Sequence, residues 1–123
     1  MPVTLTIDHG SLRPGESVEG SASWDVPWEP RRVSIALVWR TSGKGTVDSG
    51  VVTEHAANLR RQGSERFRLA LPPSPYSFSG RLVSLMWRVE CRVEGEHTIL
   101  RGEKASASAD FVYSPTGQEL RVP

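Results

Sequence analysis

The sequence predicts an antiparallel all-β sandwich of about seven strands. Three observations predict it. Apolar residues recur with a period of two in several separate segments. Prolines and turn-type glycines fall between those segments, where ladder hydrogen bonding tolerates them. The one stretch with any helical character, Glu54 to Arg61, is short and lacks a second apolar turn, so it is expected to be a loop or a single helical turn. A chain of 123 residues has the size of one domain and can bury a core without staples. Residues 1–123 are therefore expected to form a single sandwich.

The strands follow in order. Val3, Leu5 and Ile7 alternate with threonines. Pro14-Gly15 marks a turn, since proline presets φ and glycine permits a positive one beside it. Val18, Gly20, Ala22 and Trp24 then alternate as a second strand. In residues 32–40, Val33, Ile35, Leu37 and Trp39 share one face, while Arg32, Ser34, Ala36, Val38 and Arg40 share the other. Val47 to Thr53 is β-branched enough for a strand. Phe67, Leu69 and Leu71 point inward between Arg66 and Arg68. The longest signal is residues 82–94. There Val83, Leu85, Trp87, Val89, Cys91 and Val93 oppose Ser84, Arg88, Glu90, Arg92 and Glu94. Ala105, Ala107, Ala109 and Phe111 suggest a last strand with small inward residues. Turn signals are read at Ser42 to Gly45, Gln62-Gly63, Ser79-Gly80 and Gly95-Glu96.

Composition excludes several functions. The chain is 37% hydrophobic and 24% charged, with a formal net charge of +1. That balance gives no long-range pull toward nucleic acid or anionic lipid. The Arg31-Arg32 and Arg60-Arg61 pairs are too short for a nucleic-acid patch. The first ten residues carry no basic segment followed by an apolar run, and no apolar stretch approaches the ~20 residues of a membrane span. One cysteine cannot form an intramolecular disulfide. A cytoplasmic location is expected.

Chemistry-bearing residues do not assemble. His9, His55 and His97 lack metal-ligand spacing, so no metal is expected. Cys91 lies on an apolar strand face and reads as a small core residue rather than a nucleophile. No nucleophile elbow and no glycine-rich phosphate loop occurs. No enzyme activity and no cofactor are expected.

Two segments resemble arrestin-type domains. L-R-P-G-E-S-V-E-G at 12–20 is similar to the P-G-E-x-V-x-G opening of such a domain. Residues 63–94 resemble its middle: a glycine, an aromatic-containing strand, the Leu71-Pro72-Pro73 run, a Ser-Phe-x-Gly turn at 77–80 and a long alternating strand. The order of the segments also matches. Animal arrestins and retromer-type relatives pair two sandwiches in one chain, and bacterial sporulation-control proteins resemble them too. This length suits one sandwich, so a function needing both domains is not implied. The resemblance implies an immunoglobulin-like (arrestin-like) fold and a habit of protein–protein binding.

The function expected is that of an adaptor or scaffold with a protein partner. No nucleic acid and no integral membrane segment are expected, and a homo-oligomer is compatible. The alternative is a ligand- or carbohydrate-binding sandwich built on Trp24 and Trp28. Trp39 and Trp87 read as core. Trp28, in the proline-bounded Asp25-Val26-Pro27-Trp28-Glu29-Pro30 loop, is either a lid over the sandwich end or an exposed anchor. Trp28 is the first candidate for partner binding, followed by Arg40 and Lys44 near the Ser42-Gly43-Lys44-Gly45 turn. Pro72 to Tyr76 nearly matches a Pro-Pro-x-Tyr ligase-recruiting motif but is off by one residue and is assigned to a turn.

Overall fold

The structure is a computed structural model and describes residues 2–43, 49–73, 75–79, 83–116 and 120–121. Ten strands are present among the described residues: β1 Val3–Ile7, β2 Ser11–Leu12, β3 Ser17–Asp25, β4 Pro30–Gly43, β5 Ser49–Ala56, β6 Gln62–Ala70, β7 Phe78–Ser79, β8 Val83–Gly95, β9 Lys104–Tyr113 and β10 Leu120–Arg121. They form two sheets. The smaller has the order β1-β3-β6. The larger runs β10-β7-β8-β4-β5, with β9 also beside β8 and β2 beside β9. β7 and β9 share one edge of β8: β7 pairs with Ser84 and Leu85, β9 with Trp87 to Glu94. Pairing is antiparallel except for β2 with β9 and β10 with β7, two short parallel pairs.

Alternation dictates the core. Val3, Val18, Ala22, Trp24, Phe67 and Leu69 project from the smaller sheet. Val33, Ile35, Leu37, Leu85, Trp87, Val89, Cys91, Val93 and Phe111 project from the larger sheet into the same cluster. Each large side chain buried this way contributes roughly 1.5–3 kcal/mol. Trp87 is fully buried, and its indole N–H donates to the Pro75 carbonyl at 2.9 Å. Tyr113 is buried as well and donates through its hydroxyl to the Pro72 carbonyl. The Pro72–Tyr76 segment is thereby strapped to the core, with Tyr76 set edge-on to Tyr113 at 5.1 Å. The turn assigned to Pro72–Tyr76 falls partly outside the described residues, since Ser74 is not among them.

Some expectations are corrected. Glu54, His55 and Ala56 extend β5 rather than opening a helical turn, because they pair with Ser34, Ile35 and Ala36 of β4. Residues 57–61 form a loop. Gly95 belongs to β8, and the chain reverses later, at 97–102. Trp24 is only 2% exposed and lies in the core. β4 is more deeply buried than simple alternation predicts: Ser34, Ala36 and Val38, on the face expected to be outward, are also covered. Trp39 is half-buried and packs against the core, its indole lying over Gly50 of β5. The Pro14-Gly15 turn is as expected, with Gly15 at φ 89° and the Glu16 N–H donating to the Arg13 carbonyl. The Ser79-Gly80 turn falls partly outside the described residues.

Candidate interaction surfaces

Three connections meet at one end of the sandwich: residues 26–29 between β3 and β4, 57–61 between β5 and β6, and 96–103 between β8 and β9. Backbone hydrogen bonds join them to the strands. The Val26 N–H donates to the Arg61 carbonyl, and Ala57 N–H to the Val33 carbonyl, each at 2.9 Å. The Trp24 indole N–H donates to the Arg60 carbonyl at 2.7 Å. Salt bridges Arg61–Glu29 at 3.2 Å and Arg31–Glu96 at 3.3 Å tie neighbouring loops. Trp28 is half-buried and packs against the core cluster. Its ring lies over Gly95, where an added Cβ would stand 3.0 Å from Trp28 Cε3.

A second surface is the free edge of β5. Among the described residues this strand pairs with β4 alone, so its other side carries backbone groups without a described neighbouring strand. A register shift between Leu37 and Val38 leaves Val52 as the extra residue of a bulge. Val51 and Val52 are 61% and 41% exposed as a result of standing on this edge. Near the far end of β5, His55 Nε2 meets Glu65 Oε2 of β6 at 2.7 Å and ties the two sheets together.

Beside this edge lies a groove of about 390 Å³ on the outer face of the larger sheet. Its floor is Ser34, Ala36 and Val38. Long charged side chains from the flanking strands make its walls, which is why small residues beneath them are buried. Arg32 pairs with Glu54, and Glu90 sits between Arg88 at 3.8 Å and Arg92 at 3.3 Å. Arg88 also reaches Asp110 of β9 at 3.3 Å. Arg40 borders the groove, exposed, and makes no salt bridge among the described residues.

The predicted partner residues are thus dispersed. Trp28 precedes β4, and Arg40 lies ten positions beyond its first residue, Pro30. At the usual strand rise Pro30 and Arg40 are separated by roughly 33 Å, which puts Trp28 and Arg40 toward opposite ends of β4. Lys44 lies outside the described residues. Trp24 offers no face for a sugar, because its indole is enclosed. Sequence reasoning missed Val51, Val52, Ile99 and Leu100, although each pair carried a signal. Two adjacent aliphatic residues cannot both face inward where the period is two, and a loop offers them no face at all.

Cys91 is buried, and burial, with the Glu65 carboxylate adding to it, pushes its thiol up to about 11. Among the described residues no group of three or more His, Cys, Asp and Glu side chains is placed to hold a metal ion. No helix among the described residues is long and apolar enough to cross a membrane.

No protein-family profile matches the sequence, and no curated protein matches it. Solved structures do. The sporulation control protein Spo0M of Bacillus subtilis superposes with a TM-score of 0.66 at 14% identity, over 91% of this chain. The fold is arrestin-like. The match covers 48% of the Spo0M chain, so this sandwich corresponds to about half of that protein.

Proposed function

We propose that this chain is a non-enzymatic protein-interaction module, an adaptor or scaffold, which holds its partner by adding a strand to the free edge of β5. The observation that carries this reading is the β5 edge itself, with unpaired backbone groups on one side and two exposed valines. Main-chain pairing supplies affinity in such a complex, and side chains beside the edge supply specificity. The bulge at Val52 supports a selective edge, since bulges discourage indiscriminate pairing. Arg40 stands at one end of the strand and fits an acidic or carbonyl group of the partner. A strand laid along β5 also runs toward the loop end where Trp28 sits. Lys44, four positions beyond Arg40 in the sequence, is kept as a proposed partner residue on sequence grounds alone. An arrestin-like fold shared with a sporulation control protein is consistent with a regulatory role in the cytoplasm.

The test uses the full chain as bait and measures the dissociation constant of whatever partner is recovered. Val51→Asp is expected to weaken binding by ~30-fold, equivalent to about 2 kcal/mol. Arg40→Glu is expected to weaken it by less. A partner whose affinity is unchanged by both substitutions rules out the β5 edge as the site.

A further inference from the structure

Among the described residues, Ile99 and Leu100 are the most exposed large apolar side chains, at 93% and 90%. Their exposure is built in. The Arg101 and Glu103 N–H groups both donate to the His97 carbonyl, at 3.2 and 3.1 Å. The Glu103 carboxylate reaches back to accept from the His97 N–H at 3.2 Å. Gly102 closes the turn at φ 62°, a region glycine enters without strain. The loop therefore holds the two aliphatic side chains off the protein. The 57–61 loop at the same end repeats the pattern: Leu59 is 52% exposed and is followed by Arg60, as Leu100 is followed by Arg101.

The charges at these tips are asymmetric. Arg60 and Arg101 are exposed and make no salt bridge among the described residues. Three acids of these loops are engaged: Glu29 with Arg61, Glu96 with Arg31, and Glu103 with the His97 backbone. Asp25, at the end of β3, is exposed and makes no salt bridge among the described residues. A net charge of +1 for the whole chain averages over this arrangement. Aliphatic residues at a convex tip, each followed by a free arginine, match a surface with an apolar interior and an anionic skin.

We propose that this end of the sandwich docks reversibly on anionic lipid, with Ile99 and Leu100 dipping into the acyl boundary and Arg60 and Arg101 meeting headgroup phosphates. Two short aliphatic insertions with two arginines support reversible attachment, not permanent anchoring. This surface is separate from the β5 edge, so it does not depend on the function proposed above.

The test is cosedimentation of the full chain with phosphatidylcholine vesicles containing roughly 30% phosphatidylserine, compared with phosphatidylcholine alone. The wild type is expected to partition onto the anionic vesicles. The double variant Ile99→Ser/Leu100→Ser is expected to lose about tenfold or more of that partitioning. Arg60→Glu/Arg101→Glu should abolish the preference for anionic vesicles. All four positions are exposed, so thermal midpoints should match the wild type and separate lost docking from lost fold. A dye on Leu100→Cys, with Cys91 buried and unreactive, should shift its emission to the blue on anionic vesicles. Failure of the wild type to bind, or equal binding by the serine variant, overturns the proposal. Concentration-dependent self-association that the serine variant removes would assign the tip to a second copy and overturn it as well. Loss of a protein partner without vesicle binding would assign the tip to that partner, with the same consequence.

Discussion

Trp24 and Trp28 lie four residues apart and take different roles, decided by strand register. Trp24 is on the inward face of β3, opposite Gly63 of β6, and its indole fills the space that a side chain there would need. A Cβ at Gly63 would stand 2.7 Å from the Trp24 ring. Gly63→Ala is therefore expected to destabilise by ~1–3 kcal/mol through overpacking, read from denaturant midpoints. An unchanged midpoint would mean that Trp24 can move aside. Trp28 lies past the end of the strand and keeps one side in solvent, so Trp28→Ala should cost less than truncation of a fully enclosed tryptophan. Cys91 gives a pH-dependent prediction. Its thiol stands at about 11 in the folded chain against an ordinary value of 9.0. A folded value above the unfolded one means stability that is complete below the unfolded value and is lost as the pH climbs through the folded one. Urea midpoints should thus hold steady up to about pH 8.5 and fall between about 9 and 11. A Cys91→Ser control should show less of that fall. In the native protein, thiol reagents should react with Cys91 only at the rate of opening.

At the scale of the strand, β8 carries the clearest test of face assignment. Trp87 is fully enclosed, whereas Arg92 is exposed and, among the described residues, paired with Glu90 alone, two residues away on the same strand. Trp87→Ala should cost ~3–5 kcal/mol, and Arg92→Ala should stay within ~0.5 kcal/mol. Similar losses from both would invert the assigned faces. β8 was legible in the sequence because one of its faces is continuously apolar and the other is polar apart from Met86. β3, β6 and β9 were legible for much the same reason, and β4 by its continuously apolar inward face alone. The segment 54–56 was not, since its strand character comes from pairing with β4 and not from its own side chains. β2, β7 and β10 are two residues each, too short for any period to register. The buried outward face of β4 was equally hidden: Ser34, Ala36 and Val38 are covered by side chains from β5 and β8, neighbours that a single strand's pattern does not reveal. The same limit explains the candidate sites. Sequence placed Trp28 and Arg40 on loops or strand ends, yet the distance between them depends on the length of β4.

For the whole molecule, the residues tested at the two proposed surfaces, Val51 on one side and Ile99 and Leu100 on the other, stand toward opposite ends of β4, while Arg60 lies in the loop that continues β5. The β5 edge exposes Val51 and Val52 next to the Arg40 end of β4. The Ile99–Leu100 tip stands beyond the opposite end of that strand, near Trp28 and Gly95. Between them lies the β4–β8 pairing, whose register runs from Pro30 and Gly95 to Gly43 and Val83, a rigid span with its inward face in the core. Sites that far apart with no shared partner residues are expected to act independently, with free energies that add. Val51→Asp should then weaken the protein partner and leave vesicle partitioning unchanged, while Ile99→Ser/Leu100→Ser should do the reverse. The combined variant should show both losses at full size, within about 0.5 kcal/mol of the sum. The measurement is a double-mutant cycle with the partner's dissociation constant and the vesicle partition coefficient read on the same four proteins. A coupling well above that margin would show that occupancy at one end is felt at the other. The sandwich would then transmit a signal along β4 and β8, and a picture of two passive docking surfaces on a rigid spacer would be wrong.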